Sequence, residues 1–229
     1  MNTSLESVTI AGIAAFQNLD SIQRSILASQ LTKKIYRKGE AITNYSADEM
    51  DVFFILSGKV RTCAVSAKGK EIQFEDLGPG QMFGELAALD GQGRTSDCIS
   101  MTESSLAVMS KTDFLAALES YSEFNRYVMM RLTTMLRKHI GRVVEFSVLS
   151  AKDRIRIELY RLAMQQGNPS DSDIKIHSTP THSDIAARIS SHREAVTREL
   201  KRLESLGVIT WRPGEYVIHD LHALTTSLG

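Results

Sequence analysis

A short segment near the middle of the chain combines a glycine turn with one carboxylate, and an arginine follows downstream: Phe83, Gly84, Glu85, Leu86, Ala87, then Arg94 and Thr95. Backbone N–H groups in a tight turn form a concave site for an anion. An arginine beside that turn adds a planar, permanently charged fork that suits a phosphate diester. Glu85 repels a phosphate, so its carboxylate is suited instead to accept hydrogen bonds from a sugar hydroxyl. A phosphate and a ribose hydroxyl bound within one compact turn outline a cyclic nucleotide.

The spacing of these residues matches a known pattern. The Phe83–Ala87 segment with Arg94 and Thr95 resembles the phosphate-binding cassette of cyclic-nucleotide-binding domains. The alternative, from the residues alone, is a β-hairpin with a surface Glu–Arg pair, which is common and contributes little energy. The complete spacing within a β-rich segment favours the cassette, and all seven of these residues are then expected at the ligand.

The composition limits the classes of protein that the chain can represent. It has 229 residues, enough for two modest domains, and 27 basic residues balance 27 acidic ones. Basic residues nevertheless concentrate in segments 131–161 and 188–212, where local charge matters more than the total. Cys63 and Cys98 are too few for a disulfide framework, which indicates a reducing, cytoplasmic location. We expect no signal peptide, and no apolar run approaches the ~20 residues of a membrane span.

The N-terminal half has the pattern of an all-β domain. Short alternating strands recur between residues 30 and 110, with glycine turns and a predicted hairpin turn at residues 67–70. Asp20 is suited to cap a helix that precedes them, and Ser110 with Asp113 is suited to cap the helix that follows. We therefore predict a β-barrel or jelly-roll domain over residues 1–120.

A long helix is predicted from residue 124 to about 146, within a hinge segment 121–149. Apolar residues recur along it at alternating steps of three and four: Met129, Leu132, Leu136, His139, Val143 and Phe146. This spacing is typical of a two-stranded coiled coil and favours a dimer. The alternative is a helix packed on its own domain.

Residues 150–229 have the layout of a winged helix-turn-helix. A helix at 153–164 and a loop at 167–171 come first, and residues 181–184 then cap a short helix at 185–189. A turn at 190–192 leads into a second helix, from about Arg193 to Leu206, which Gly207 ends. The segment Arg212-Pro213-Gly214-Glu215 then joins two short strands as a wing. This layout predicts that the second helix enters the major groove of DNA.

The charged face of that second helix carries the predicted base contacts. Its buried stripe is predicted as Val196, Leu200, Leu203 and Leu206, which turns Arg193, Glu194 and Arg198 outward. Arginine pairs bidentately with guanine, and glutamate accepts from cytosine, so this face is suited to a G·C-containing half-site. The full set of expected DNA-binding residues is Thr181, Ser191, His192, Arg193, Glu194, Thr197, Arg198 and Lys201. The alternative is an ordinary solvated helix face.

With the cassette, the long helix and the helix-turn-helix in this order, the chain resembles the cyclic AMP receptor protein family of transcription regulators over nearly its whole length. Arg193-Glu194 followed by Arg198 stands where that family reads its half-sites. The resemblance implies an α+β fold, a homodimer, a palindromic operator, contact with RNA polymerase, and 3′,5′-cyclic AMP as allosteric ligand without a metal.

The choice between cyclic AMP and cyclic GMP stays open at this stage. Where the family places a base-contacting Thr-Ser pair on the long helix, this chain has His139 and Ile140. Ile140 cannot bond a base edge, whereas His139 can donate or accept, or can be a plain core histidine. Thr95 offers a hydroxyl that family members responding to cyclic GMP also have. We rank cyclic AMP first and cyclic GMP second.

Three other classes of protein are alternatives to this assignment. An enzyme needs a nucleophile–base pair or a metal cluster, and the six histidines show no such spacing. A haem or redox sensor with the same architecture is a second class, although Cys63 and Cys98 are too few for an iron–sulfur cluster. A nucleotide-independent regulator is the third, and the retained Glu85 and Arg94 argue against it.

Overall fold

A computed structural model describes residues 10–66, 71–166, 173–177, 180–212 and 214–225. The predicted hairpin turn at 67–70, the whole of the predicted loop at 167–171 and Pro213 of the wing lie outside these residues. The chain divides into two compact units, a first unit of residues 1–136 and a second unit of residues 137–229.

The first unit is built on two four-stranded antiparallel sheets. Their strand orders are β1-β8-β3-β6 and β2-β7-β4-β5. The strands are β1 (Leu31–Tyr36), β2 (Ala41–Thr43), β3 (Val52–Ser57), β4 (Val60–Val65), β5 (Glu71–Leu77), β6 (Met82–Phe83), β7 (Asp97–Ser100) and β8 (Ser104–Met109). This confirms the predicted all-β domain.

Strand β3 is buried on both faces, which explains its unbroken apolar sequence. Successive side chains of a strand point to opposite faces of the sheet. Phe53 accordingly joins the core between the two sheets, while Phe54 faces the core on the other side. There the ring centres of Phe54 and Phe16 are 5.0 Å apart, and those of Phe16 and Phe124 are 5.7 Å apart.

Helices cover that outer face of the sheet. They are α1 (Ser21–Ser29), α2 (Glu85–Asp90), α3 (Lys111–Ser120) and the long helix α4 (Ser122–Val148). Asp20 caps α1 in a capping box with Gln23, and Ser110 caps α3 by accepting from the Asp113 N–H, as predicted. Only Phe124 and Val128 of α4 are fully buried.

The exposed apolar residues of α4 differ in part from the predicted seam. Met129, Leu136 and Val143 are exposed as expected, but Leu132 packs against the core of its own unit, so its placement in the seam was wrong. The exposed apolar residues that do line up along the helix are Met129, Leu136, Ile140, Val143 and Val144, here called the α4 stripe. A helix turn of 3.6 residues places these side chains on one face.

The second unit contains three further helices and a three-stranded sheet. The helices are α5 (Ala151–Gln166), α6 (His182–Arg188) and α7 (Arg193–Ser205), and the strands are β9 (Ile174–His177), β10 (Ile209–Arg212) and β11 (Glu215–Ile218), in the order β10-β11-β9. Gly207 has φ +71°, as expected for the cap after α7. Leu206, predicted in the buried stripe of α7, is 60% exposed instead, because the helix ends at Ser205.

Among the described residues, no helix has the length and hydropathy needed to cross a membrane.

Candidate functional site

The glycine turn of the cassette depends on the absence of a side chain at Gly84. Gly84 has φ +90° and caps the N-terminus of α2, so that Glu85 is the first residue of the helix. A Cβ at position 84 would lie 2.7 Å from Nη1 of Arg94 and 2.8 Å from the Asp51 carbonyl oxygen. Both the backbone conformation and the space therefore require glycine.

Arg94 is held against this turn by its own hydrogen bonds. The side chain is 4% exposed, its Nη1 donates to the Gly84 carbonyl at 3.0 Å, and its Nη2 donates to the Asp51 carbonyl at 2.7 Å. The guanidinium lies 5.6 Å from the centre of the Phe53 ring, which stacks on Phe83. The guanidinium is thus held in place by contacts within the protein itself.

One nitrogen of the Arg94 guanidinium, Nε, is buried and makes no hydrogen bond within the described residues. Burial lowers the pKa of Arg94, and nearby acidic groups oppose that shift. A buried cation with an unsatisfied donor is costly, and an anion in the adjacent turn removes that cost.

Glu85 is likewise buried, and it is paired. Its side chain is 3% exposed, and Nε of Arg131 on α4 lies 3.4 Å from its Oε1. Burial raises the pKa of Glu85, while the charge of Arg131 lowers it. Arg131 also lies 3.9 Å from Glu75, so it bridges the cassette and strand β5. Sequence reasoning counted Arg131 only as one member of a basic segment and missed this role.

The remaining cassette residues differ in exposure. Ala87 is buried, Leu86 is half-buried, and Thr95 is exposed at the surface. The backbone of Arg94 pairs with the loop before β3 through Ser46 and Ala47. The structure thus brings Phe83, Gly84, Glu85 and Arg94 together around one turn. His139 belongs to the second unit, where it is half-buried, and its contact with a ligand stays a prediction.

The second candidate site is the outward face of α7. Val196, Leu200 and Leu203 are buried as predicted, which turns the opposite face to solvent. An open groove of about 450 Å³ runs along that face, lined by Arg193, Glu194, Thr197, Arg198 and Lys201. All five belong to the predicted set of DNA-binding residues, and Arg193, Glu194 and Arg198 are its predicted base contacts.

The three predicted DNA-binding residues that precede α7 differ in how exposed they are. Thr181 is exposed and caps α6, with its side chain accepting from the Asp184 N–H. His192 is exposed at the start of α7. Ser191 is 8% exposed, and its N–H donates to the Ala186 carbonyl, so it helps to form the turn between the two helices. Of the predicted DNA-binding residues, Ser191 therefore exposes the smallest fraction of its surface for a contact with DNA.

Comparisons with known proteins identify two domains in the chain. Residues 33–121 match the family model of the cyclic nucleotide-binding domain, and residues 153–226 match that of the Crp-like helix-turn-helix domain. Together the two models cover most of the chain. A sensory domain for a cyclic nucleotide followed by a DNA-binding domain defines a transcription regulator.

Similar proteins extend over nearly the whole length. The cyclic AMP receptor protein of Thermus thermophilus is 25% identical over 91% of this chain and 94% of its own. A CRP-like cAMP-activated global transcriptional regulator of Mycobacterium tuberculosis is 24% identical, covering 96% and 97%. Among solved structures, a CooA mutant from Carboxydothermus hydrogenoformans has a TM-score of 0.80 at 16% identity, covering 100% of this chain and 98% of that one. The chain belongs to the cyclic AMP receptor protein family, whose members are transcription regulators and not enzymes.

Proposed function

We propose that the protein is a homodimer that binds a palindromic operator when cyclic AMP occupies the pocket of its barrel. The observation that carries this proposal is the buried, unsatisfied Nε–H of Arg94 beside the Gly84 turn, with the buried Glu85 close by. In this scheme residues 1–120 bind the ligand, residues 121–149 join two subunits, and residues 150–229 bind DNA. The names of the two relatives compared above support cyclic AMP, and cyclic GMP is the second candidate.

In this proposal, each of the two buried charged side chains binds one part of the ligand. The cyclic phosphate accepts from the Nε–H of Arg94 and from the N–H groups of the turn at Gly84 and Glu85. The Glu85 carboxylate, oriented by Arg131, accepts from the ribose 2′-hydroxyl. Phe83 and Ala87 hold the turn from the core side, and Leu86 and Thr95 line its rim. No metal is needed in this arrangement, because Arg94 supplies the positive charge.

Replacing Glu85 with glutamine is expected to weaken cyclic AMP binding by about 1–1.5 kcal/mol, because the neutral amide oxygen still accepts a hydrogen bond but a weaker one than the carboxylate does. A 2′-deoxy cyclic AMP should bind wild type and variant equally, since it lacks the hydroxyl concerned. Calorimetric titration measures all four affinities. Glu75→Gln serves as control because Glu75 contacts the same Arg131. If Glu75→Gln weakens cyclic AMP binding as much as Glu85→Gln does, the ribose assignment is wrong.

His139 is expected to face the base of the nucleotide. His139→Ala should then change the ratio of the affinities for cyclic AMP and cyclic GMP, because the two bases differ in their donor and acceptor groups. Calorimetry with both ligands gives that ratio. An equal loss for both ligands would show that His139 only packs.

The dimer is proposed to form along the α4 stripe. Its members present a row of exposed apolar side chains on a helix that reaches residue 148. Rows of this kind on a long helix are usually covered by a second helix. Ligand binding then shifts the population of the dimer towards a form whose two α7 helices fit successive major grooves, ~34 Å apart. Contact with RNA polymerase and a cytoplasmic location belong to the same proposal.

In the DNA complex we assign guanine to Arg193 and Arg198 and cytosine to Glu194, while Thr181, Ser191, His192, Thr197 and Lys201 contribute the surrounding contacts. Each bidentate arginine contact discriminates by ~1–3 kcal/mol. Arg198→Ala is expected to relax the preference at one symmetric base pair per half-site in binding selections on randomised DNA. Arg202→Ala is the matched control, since Arg202 is on the same helix but pairs with Glu199. Uniformly weaker binding with unchanged preference would make Arg198 a phosphate contact instead.

A further inference from the structure

A histidine joins the two helices of the helix-turn-helix beside the groove of α7. His182 is the first residue of α6, and its Nδ1 lies 2.9 Å from Oγ1 of Thr197 on α7. Thr197 is one of the residues that line the groove. His182 is half-buried, so part of its ring is accessible beside the face of α7 that is proposed to meet DNA.

The hydrogen bonds around Thr197 determine which nitrogen of His182 carries the proton. Oγ1 of Thr197 donates to the Arg193 carbonyl at 3.0 Å, and a carbonyl can only accept. A hydroxyl has a single hydrogen, so the same oxygen must accept from His182, and Nδ1 must therefore carry a hydrogen. In the neutral ring, Nε2 then carries no hydrogen and can only accept a hydrogen bond. Protonation adds a hydrogen at Nε2 and leaves the Nδ1–H bond to Thr197 unchanged.

The charges near His182 disfavour that second proton in the free protein. Burial lowers the pKa of His182, and the charge of Arg193 on α7 lowers it further. Asp184, the acid on the same helix, bonds Thr181 in the capping box. Glu158 of α5 pairs with Arg188 at the opposite end of α6. On α7, Glu194 lines the groove together with the cations Arg198 and Lys201.

We propose that His182 contacts a DNA phosphate through Nε2 and takes up a proton when DNA binds. The inference rests on the proposed docking of α7 in the major groove. A phosphate oxygen can only accept, so Nε2 must carry a hydrogen to bond it. Because Nδ1–H stays bonded to Thr197, that hydrogen is the second proton of the ring. The negative charge of DNA therefore favours the protonated form, and by linkage the affinity for DNA rises as the pH falls.

The test measures binding of a labelled duplex, selected from randomised DNA by the wild-type protein with saturating cyclic AMP, between pH 8 and pH 5.5. The affinity of the wild type is expected to increase about three- to tenfold more over this range than that of His182→Gln, which cannot be charged. His182→Lys keeps a charge at all pH values and should bind tightly with the same weak pH dependence as His182→Gln. His222→Gln, which removes an exposed histidine outside the proposed DNA-binding residues, should retain the wild-type pH dependence.

The salt dependence supplies an independent readout. At low pH the slope of log affinity against log salt should be steeper for wild type than for His182→Gln by about 0.9, the value for one phosphate contact. The preferred DNA sequence should be the same for both proteins. A wild type that binds DNA with the pH and salt dependence of His182→Gln would overturn the inference and leave the proposed function standing. A wild type that binds no DNA at any pH would overturn both.

Discussion

Replacing Arg94 with leucine will remove cyclic-nucleotide binding, with an expected loss of at least ~100-fold. Arg94 is the buried cation of the cassette, and its open Nε–H adjoins the turn that is to hold the phosphate. The loss of one or two charge-assisted hydrogen bonds, at ~1.5–3 kcal/mol each, accounts for that magnitude. Isothermal titration calorimetry with cyclic AMP measures the effect, and affinity within threefold of wild type would contradict it.

The same substitution is also expected to destabilise the first unit by ~1–3 kcal/mol. It removes the two donors that satisfy the Gly84 and Asp51 carbonyls. Thermal unfolding without ligand measures this separately from binding. Arg94→Lys is the matched variant, because it keeps the positive charge but lacks the planar guanidinium. It should bind cyclic AMP more tightly than Arg94→Leu does. It should not restore the paired hydrogen bonds to the Gly84 and Asp51 carbonyls. A folded Arg94→Leu protein that fails to bind would assign the loss to the site.

The second large effect concerns the dimer. Leu136→Asp combined with Val143→Asp should convert the protein to monomers and abolish specific DNA binding. Leu136 and Val143 are 61% and 64% exposed in the single chain, so the substitutions do not disturb its own core. In a dimer they would bury unpaired carboxylates, which costs several kcal/mol per subunit. Light scattering gives the mass, and a dimer of unchanged stability would refute the assignment.

A matched control places the same two charges elsewhere on the helix. Thr134→Asp with Gly141→Asp adds two carboxylates at exposed positions of α4 outside the α4 stripe, and a Cβ at Gly141 would meet no atom within 4 Å. This variant should remain dimeric. Monomers from both double variants would show that charge on the helix, rather than its position, breaks the dimer.

The cassette and the order of the elements could be predicted because local sequence determines them. Gly84 has to adopt φ +90°, and the run from Val52 to Ile55 has to be buried on both faces, so both leave clear patterns. The caps at Asp20 and Ser110 follow from side-chain chemistry within one helical turn. Each of these features involves residues that are close in the sequence.

The features that sequence reasoning missed depend on contacts between distant segments. Arg131 meets Glu85 across the fold, and nothing in the helix pattern distinguishes it from its basic neighbours. Leu132 fits a coiled-coil seam as well as it fits a core, and only packing on the first unit decides between them. His182 and Thr197 are 15 positions apart, and their contact can be predicted only when the positions of α6 and α7 relative to each other are known.

The central claim is that a cyclic nucleotide controls DNA binding, and the affinity for the selected duplex with and without cyclic AMP tests it most directly. Allosteric coupling between two sites is typically 5- to 150-fold, and wild type should show an increase in that range. Arg94→Leu should show no increase at the cyclic AMP concentration that saturates the wild type, although it retains the same basal affinity. Equal affinity of the wild type with and without cyclic AMP, and with and without cyclic GMP, would contradict the account.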